Sequence, residues 1–444
     1  MKHHKIYLLL FTLLVVSCNN ALDIEPQQAL SSDIALRDQA SIERALIGAF
    51  DALADNDVWG GGQYLSDLYA DNGDLIWTGS FSEPEQIFQK NILVNNAAVA
   101  NAWAEAYEAI NIANNVLSVL EILTPDVKNL IEGNALFVRG AAYFELINLF
   151  AKAYVDGDPT INLGVPLSLT ATQGLDDLSI PRATVEEVYN QIISDLQRGK
   201  ETLLGDFSYF TTSEACSAIL MRAYLNQGNY QAALDEANFV INSNYYILEG
   251  INEVYNQRDD TGEDIFAIQI TSQDGVNDFI TFYAAPENGG RGDITVSEQH
   301  FAKYRFNDAR RTALFYQDDN FIRRTAKWQE NASQDGNIPI TRLAEIYLTR
   351  AECHLQLGNT DLAALDLNTV RRRVNLPDIT NPTLEDILFE RSLELAFEGH
   401  LFRDVKRTRR NFTDDIAFDD ERMVYPIPQR EMDVNGLLVQ NGGY

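Results

Sequence analysis

Trp59, Tyr64 and Trp77 stand in a Gly-, Asn- and Asp-rich stretch, 56–95, off any helical stripe, with Phe81 close behind them. Flat aromatic rings pack against the C–H faces of a ring-shaped ligand such as a sugar, while carboxylates and amides meet its hydroxyls. Asp71, Asn72 and Asp74 supply such groups in the same stretch. This is chemistry for holding a ligand. The alternative is that one or two of the rings simply pack the loops down.

Motifs for covalent or metal chemistry are missing. Beyond the leader the histidines are His300, His354 and His400, without metal-ligand spacing, and there is no Cys-x-x-Cys. No Gly-x-Ser-x-Gly elbow, phosphate-binding Gly-x4-Gly-Lys or Gly-x-Gly-x-x-Gly follows a strand. Asp55-Asn56-Asp57 with Gly60 hints at a calcium loop. Trp59 takes a ligand position and Ser66 stands at position twelve, so it fails as an EF-hand, and a less regular calcium site stays open. A pair of carboxylates would serve a glycosidase, but among 65 Asp and Glu nothing singles one pair out. The expectation is no enzyme, no cofactor and no metal.

The 444 residues carry 34 Lys+Arg against 65 Asp+Glu, a formal charge of −31. Such a surface repels phosphates, which makes nucleic acid and anionic membranes poor partners. Residues 1–17 read as a signal peptide: Lys2 and Lys5, the apolar run Ile6 to Val16, then Val15-Val16-Ser17-Cys18. Small residues before a cysteine resemble a lipobox, with Cys18 acylated and 18–32 a polar tether. The alternative is an ordinary signal peptide that happens to contain Cys18. Cys216 and Cys353 sit among apolar helix residues and read as small buried hydrophobes.

Helical periodicity positions these groups, so the class is mostly α. Val185, Val188, Tyr189, Ile192, Ile193 and Leu196 form one stripe, opened by a Thr184/Glu187 capping box. Thr383 with Asp386 opens another helix, expected over Leu384 to Gly399. Further helices are expected near 38–54, 101–123, 129–150, 213–226, 229–243, 341–357 and 361–374. Gly228 and Gly358 lie in related turns, each followed five residues on by a small alanine, Ala233 and Ala363. That is the logic of tetratricopeptide helix pairs, about four in all. One domain, 33–444, then carries long loops near 56–95, 155–180 and 250–340.

The last third carries a resemblance. Arg342-Leu343-Ala344-Glu345-Ile346-Tyr347-Leu348-Thr349-Arg350-Ala351-Glu352 resembles a signature of the SusD/RagB family of outer-membrane nutrient-binding lipoproteins. Glu390-Arg391-Ser392-Leu393-Glu394-Leu395-Ala396-Phe397-Glu398-Gly399-His400 is similar to a second, and Tyr425-Pro426-Ile427-Pro428 through Gly443-Tyr444 to the closing motif. Trp103, Tyr107, Asn111, Asn114 and Asn162-Leu163-Gly164-Val165-Pro166-Leu167 match upstream.

The resemblance implies a surface-exposed lipoprotein that captures a glycan and passes it to a SusC-like, TonB-dependent transporter. The helix pairs would face the transporter and the loops the ligand. It also implies platforms in 275–295, here Phe282, Tyr283 and Arg291. The expected ligand-contacting set is therefore Trp59, Tyr64, Asp71, Asn72, Trp77, Phe81, Tyr283 and Arg291. Peptide capture, as in the RagB branch, and a pure scaffold are the alternatives. The remaining motif residues read as structure: Trp103 and Tyr107 as core, Trp328 and His400 as packing, Glu394, Glu398, Arg391 and Arg403 as internal ion pairs.

Overall fold

The computed structural model describes residues 36–172, 174, 179–205, 210–271, 275–329, 335–413 and 415–444. The signal peptide, Cys18 and the tether lie outside the described residues.

Eight scaffold helices pack in chain order, each against the next. They are α1 Gln39–Leu53, α2 Ala97–Ser118, α3 Pro125–Phe150 and α4 Val185–Thr202. After them come α5 Ser213–Asn226, α6 Tyr230–Ser243, α7 Leu343–Gln356 and α8 Thr360–Arg373. The four expected pairs are all present. α4 opens with the Thr184/Glu187 capping box, each side chain satisfying the other's free backbone N–H. The turns after α5 and α7 place Gly228 at φ +71° and Gly358 at φ +83°, the left-handed cap that lets the chain reverse without a Cβ clash. Ala233 and Ala363, both fully buried, then allow the second helix of each pair to approach closely.

α3 is buried on nearly every face. Its interior Arg139 forks onto Asp195 of α4 at 2.6 and 2.8 Å and onto Asn114 Oδ1 of α2 at 2.8 Å. A guanidinium inside a helix bundle is tolerated only with its donors matched in this way.

The three expected loop segments interrupt the row of helices after α1, α3 and α6. They hold short strands in antiparallel pairs. β1 Leu75–Trp77 pairs with β5 Ile294–Val296, and β2 Leu163–Pro166 with β3 Arg182–Thr184. β4 Asp264–Ile268 pairs with β8 Ile338–Arg342, and β6 Phe315–Gln317 with β7 Arg323–Thr325. One apolar core runs through scaffold and insertions together. Cys216 and Cys353 are buried free thiols within it, and Trp103 and Tyr107 pack there too.

The family-like motifs form an interior ion network that bolts the long insertion to the scaffold. Arg342 contacts Glu263 at 2.8 Å, Glu394 at 2.9 Å and Glu398 at 2.7 Å. Lys327 donates to Glu398 and to the Glu394 carbonyl, and Trp328 Nε1 donates to the Phe397 carbonyl at 2.8 Å. Arg310 joins from Asp308 to Glu390 and Glu394. Arg391 pairs with Asp404 and Arg403 with Glu145. Burial alone would raise the Glu394 pKa, yet Arg373, Arg342 and Arg310 hold it well below the usual carboxylate range. His400 is buried beside several arginines, so its imidazole is neutral and far from ordinary basicity.

The helix expected over Leu384 to Gly399 stops at Glu394. Phe397 at φ +66° and Gly399 at φ +76° turn the chain inward. The Gly399 N–H donates to Asp67 Oδ2 at 2.9 Å, and a Cβ at Gly399 would lie 2.3 Å from the Gln63 Cβ. That close approach excludes any larger residue and ends the helix.

Candidate ligand-binding site

β1 and β5 bring the first and third insertions together, with Trp77 opposite Ile294. The short helix Asp278–Tyr283 lies beneath this pair, capped by Asn277 Oδ1 accepting from Phe279 and Ile280. Its Phe282 is the hub of an aromatic cluster. Tyr64 stacks on Phe282 at 4.5 Å, Trp77 lies at 6.0 Å, and Phe81 meets it edge-on at 6.2 Å. The outer layer is Phe81, 44% exposed, with the Arg291 guanidinium 4.5 Å over its ring. Asp293 Oδ2 accepts from Arg291 Nε at 2.9 Å and fixes its direction. Trp77 is 8% exposed, and its buried Nε1 has no hydrogen-bond partner among the described residues. It backs the platform from behind Gly79, where a Cβ would meet the indole at 2.4 Å.

Several expected contacts lie elsewhere. Trp59 is fully buried: its Nε1 donates to Glu145 Oε1 at 2.9 Å and its ring packs on Phe137 and Phe266. Tyr64 is on a helix, Gly62–Ala70, whose residues from Gln63 onward are all buried, and burial pushes its phenol far up. Tyr283 is fully buried against Phe279 and Phe397. Asp71 is buried, and its carboxylate accepts the N–H groups of Gly73, Asp74 and Leu75 at 3.0, 2.8 and 2.7 Å. In this structure neighbours cover the three rings, and the Asp71 carboxylate is taken up by its own loop. The reason is area: a large aromatic removes much apolar surface from water, and the neighbours that cover it come from distant segments.

Asn72, Phe81 and Arg291 remain open to solvent, with the Trp77 edge behind them. Asp74 is taken by Lys303 at 2.6 Å and by His300 at 3.1 Å. In the calcium-like loop, Asp55 Oδ1 accepts from the Asp57 N–H, and Asp57 Oδ2 accepts from Asn101 Nδ2, both at 2.9 Å. Burial pushes the Asp57 pKa up to about 6. Each carboxylate thus accepts one hydrogen bond from within the protein.

Sequence reasoning missed Asp293, which orients Arg291, and an open cleft of about 640 Å³ between α1, Phe210–Thr212 and β4. The alternation Ile265, Ala267, Gln269, Thr271 is visible in the sequence. It carried no sign of what stands across from it.

Two family models match the chain. One, described as starch-binding and associating with the outer membrane, covers residues 21–225. The other, the SusD family model, covers 295–444. The chain belongs to the SusD/RagB family. A SusD-like protein of Formosa agariphila is 25% identical over the whole length of both chains. The starch-binding protein SusD of Bacteroides thetaiotaomicron is 30% identical over 141 residues, 27% of this chain and 25% of that one. Among solved structures, a putative sugar-binding protein of Bacteroides vulgatus superposes with a TM-score of 0.83 at 27% identity, covering 92% of this chain and 99% of that one. A SusD superfamily protein of B. thetaiotaomicron gives 0.80 at 25% identity, with 91% and 99% coverage. The SusD-like fold is thus four helix pairs with the family's signature residues buried in the ion network.

Proposed function

We propose that this SusD/RagB protein is a lipid-anchored, surface-exposed glycan-binding protein of the outer membrane. It captures a neutral polysaccharide or oligosaccharide and delivers it, without turnover, to a SusC-like TonB-dependent transporter. Acylation of Cys18 supplies the anchor. The observation that carries this reading is the Phe81–Arg291 platform, backed by Trp77 and Phe282, on the loop insertions of a family described as starch-binding. A sugar ring stacks on Phe81, and the Arg291 fork donates to its hydroxyls. Asp293 offsets the guanidinium charge, and the whole chain is acidic, so an anionic polymer gains little here.

The test is isothermal titration of protein lacking residues 1–18 against neutral glycans, anionic glycans and mixed peptides. Saturable binding of a neutral glycan, weakened in Phe81→Ala, is expected. Preference for anionic polymers, or for peptides alone, would overturn the neutral-glycan reading.

A further inference from the structure

A second concavity lies at the opposite end of the short helix Asp278–Tyr283 from Phe282. There Gly61 is wedged between the Asp278 Cβ and the Asn56 carbonyl, and Asn56 stands on the rim of the cleft of about 640 Å³. That volume is typical of small-ligand sites. One wall is the last turns of α1, with Phe50 and Asp51. The facing wall is β4 and its continuation to Ile270, with Gln269 pointing outward.

Phe50 and Phe210 stack at 5.3 Å with their planes 17° apart, and both rings are half-buried, which leaves an aromatic surface in the wall. Around it stand Asp51, Asp55, Asn56, Asp260 and Gln269. Gln269 Nε2 donates to Asp260 Oδ2 at 3.1 Å, and Asp55 holds the Asp57 N–H. Asp51 and Asn56 have no side-chain hydrogen bond or ion pair among the described residues. Thr211, also in the wall, keeps a buried Oγ1 without a hydrogen-bond partner among the described residues. No Lys, Arg or His lines the cleft among the described residues.

Each feature narrows the occupant. The three carboxylates repel an anion and no cation offsets them. The carboxylates are strong acceptors for hydroxyl donors, and the amides both donate and accept. The stacked rings offer a flat apolar patch for C–H faces. We propose that this cleft is a second saccharide site, distinct from the Phe81–Arg291 platform, that takes an uncharged oligosaccharide segment. The inference rests on the reading of the protein as a glycan binder. Two sites on one rigid body hold a polymer more firmly than either holds a short oligosaccharide, because the second contact forms within the same complex.

The experiment titrates the mature protein with maltohexaose, cellohexaose, laminarihexaose, xylohexaose and a fructan hexamer. Beside it run the D51A/N56A double variant, Phe50→Leu and Phe81→Ala. With a hexamer that wild type binds, D51A/N56A is expected to lose one of two binding equivalents, or at least tenfold in affinity, with an unchanged Tm. Phe81→Ala should keep the cleft event. If D51A/N56A and Phe50→Leu both titrate like wild type while Phe81→Ala abolishes binding, the cleft assignment falls and the glycan reading stands. If wild type binds none of the hexamers, both fall. Binding of oligolysine that is lost in D51A/N56A, with saccharide titrations unchanged, would make the cleft a cation site and overturn the assignment.

Discussion

Arg291 stands with its guanidinium 4.5 Å from the centre of the exposed Phe81 ring, while its Nε is held by Asp293 at 2.9 Å. The stem is thereby oriented before any ligand arrives, and less side-chain entropy is lost on binding. Arg291→Ala is expected to weaken neutral-glycan binding roughly tenfold, about 1.4 kcal/mol. Asp293→Ala should weaken it by less, since it only positions the arginine. Titration checks both. An Asp293→Ala loss exceeding that of Arg291→Ala would contradict the positioning role.

Trp59 tests the other side of the assignment. Its indole N–H satisfies Glu145, which otherwise keeps Arg403 at 3.2 Å. Trp59→Phe removes a donor from a buried carboxylate and is expected to cost about 1–3 kcal/mol of stability. Glycan affinity should stay as in wild type. Urea denaturation beside titration separates the two, and an affinity loss at unchanged stability would return Trp59 to the ligand face.

The ion network sets the acid limit. Glu394 titrates well below its unfolded value of about 4.3, and Asp404, half-buried and held by Arg391 and Arg407, at about 2. A depressed folded pKa adds stability that is complete above the unfolded pKa and is lost as pH falls through the folded one. Stability should therefore fall from about pH 4 downward. Glu394→Gln should flatten that limb and cost about 3–5 kcal/mol at pH 7, because Arg310, Arg342 and Arg373 lose a shared counter-charge. Denaturant midpoints across pH 2.5 to 7, roughly the window these pKa values define, provide the check.

Asp67 acts in the opposite direction. It is buried with no ion pair among the described residues, and burial pushes its pKa up to about 7, although the Gly399 N–H donates to it. A raised folded pKa adds stability that is present below the unfolded value and is lost as pH rises through about 7. Asp67→Asn keeps an acceptor for Gly399 and carries no charge. It should raise the Tm more at pH 8 than at pH 5. An equal shift at both values would rule out titration of Asp67 as the cause.

Glycine position divides two outwardly similar turns. Gly358→Ala meets open space and pays only for φ +83°, roughly 1 kcal/mol. Gly399→Ala adds a 2.3 Å contact with the Gln63 Cβ and should cost several times more, with the loss read from urea midpoints.

The scaffold was legible because its signals are local. The Thr184/Glu187 box, the stripe from Val185 to Leu196 and the Gly228 and Gly358 turns each lie within a few residues of the helix they start or stop, and the structure repeats them. The helix after Thr383 was read too long because its stop is not local: Gly399 is pulled in by Asp67 and Gln63, more than 300 residues earlier. Which of the candidate rings meet solvent was not legible for the same reason. Trp59, Tyr64 and Trp77 stand alike in sequence, among Gly, Asn and Asp. Phe137 and Phe266 cover the first and Phe282 the second, while Phe282 and Gly79 leave an edge of the third.

The sequence by itself determined the four helix pairs, the places where loops interrupt them, the acidic surface and the residues that carry the family likeness. These follow from periodicity, capping and composition, which act over a turn or two of chain. Only the tertiary structure decided which aromatics meet solvent, that Asp293 aims Arg291 at Phe81, and that α1 and β4 enclose a cleft. Burial and pocket shape are sums over neighbours from distant segments, and no short stretch of chain contains them.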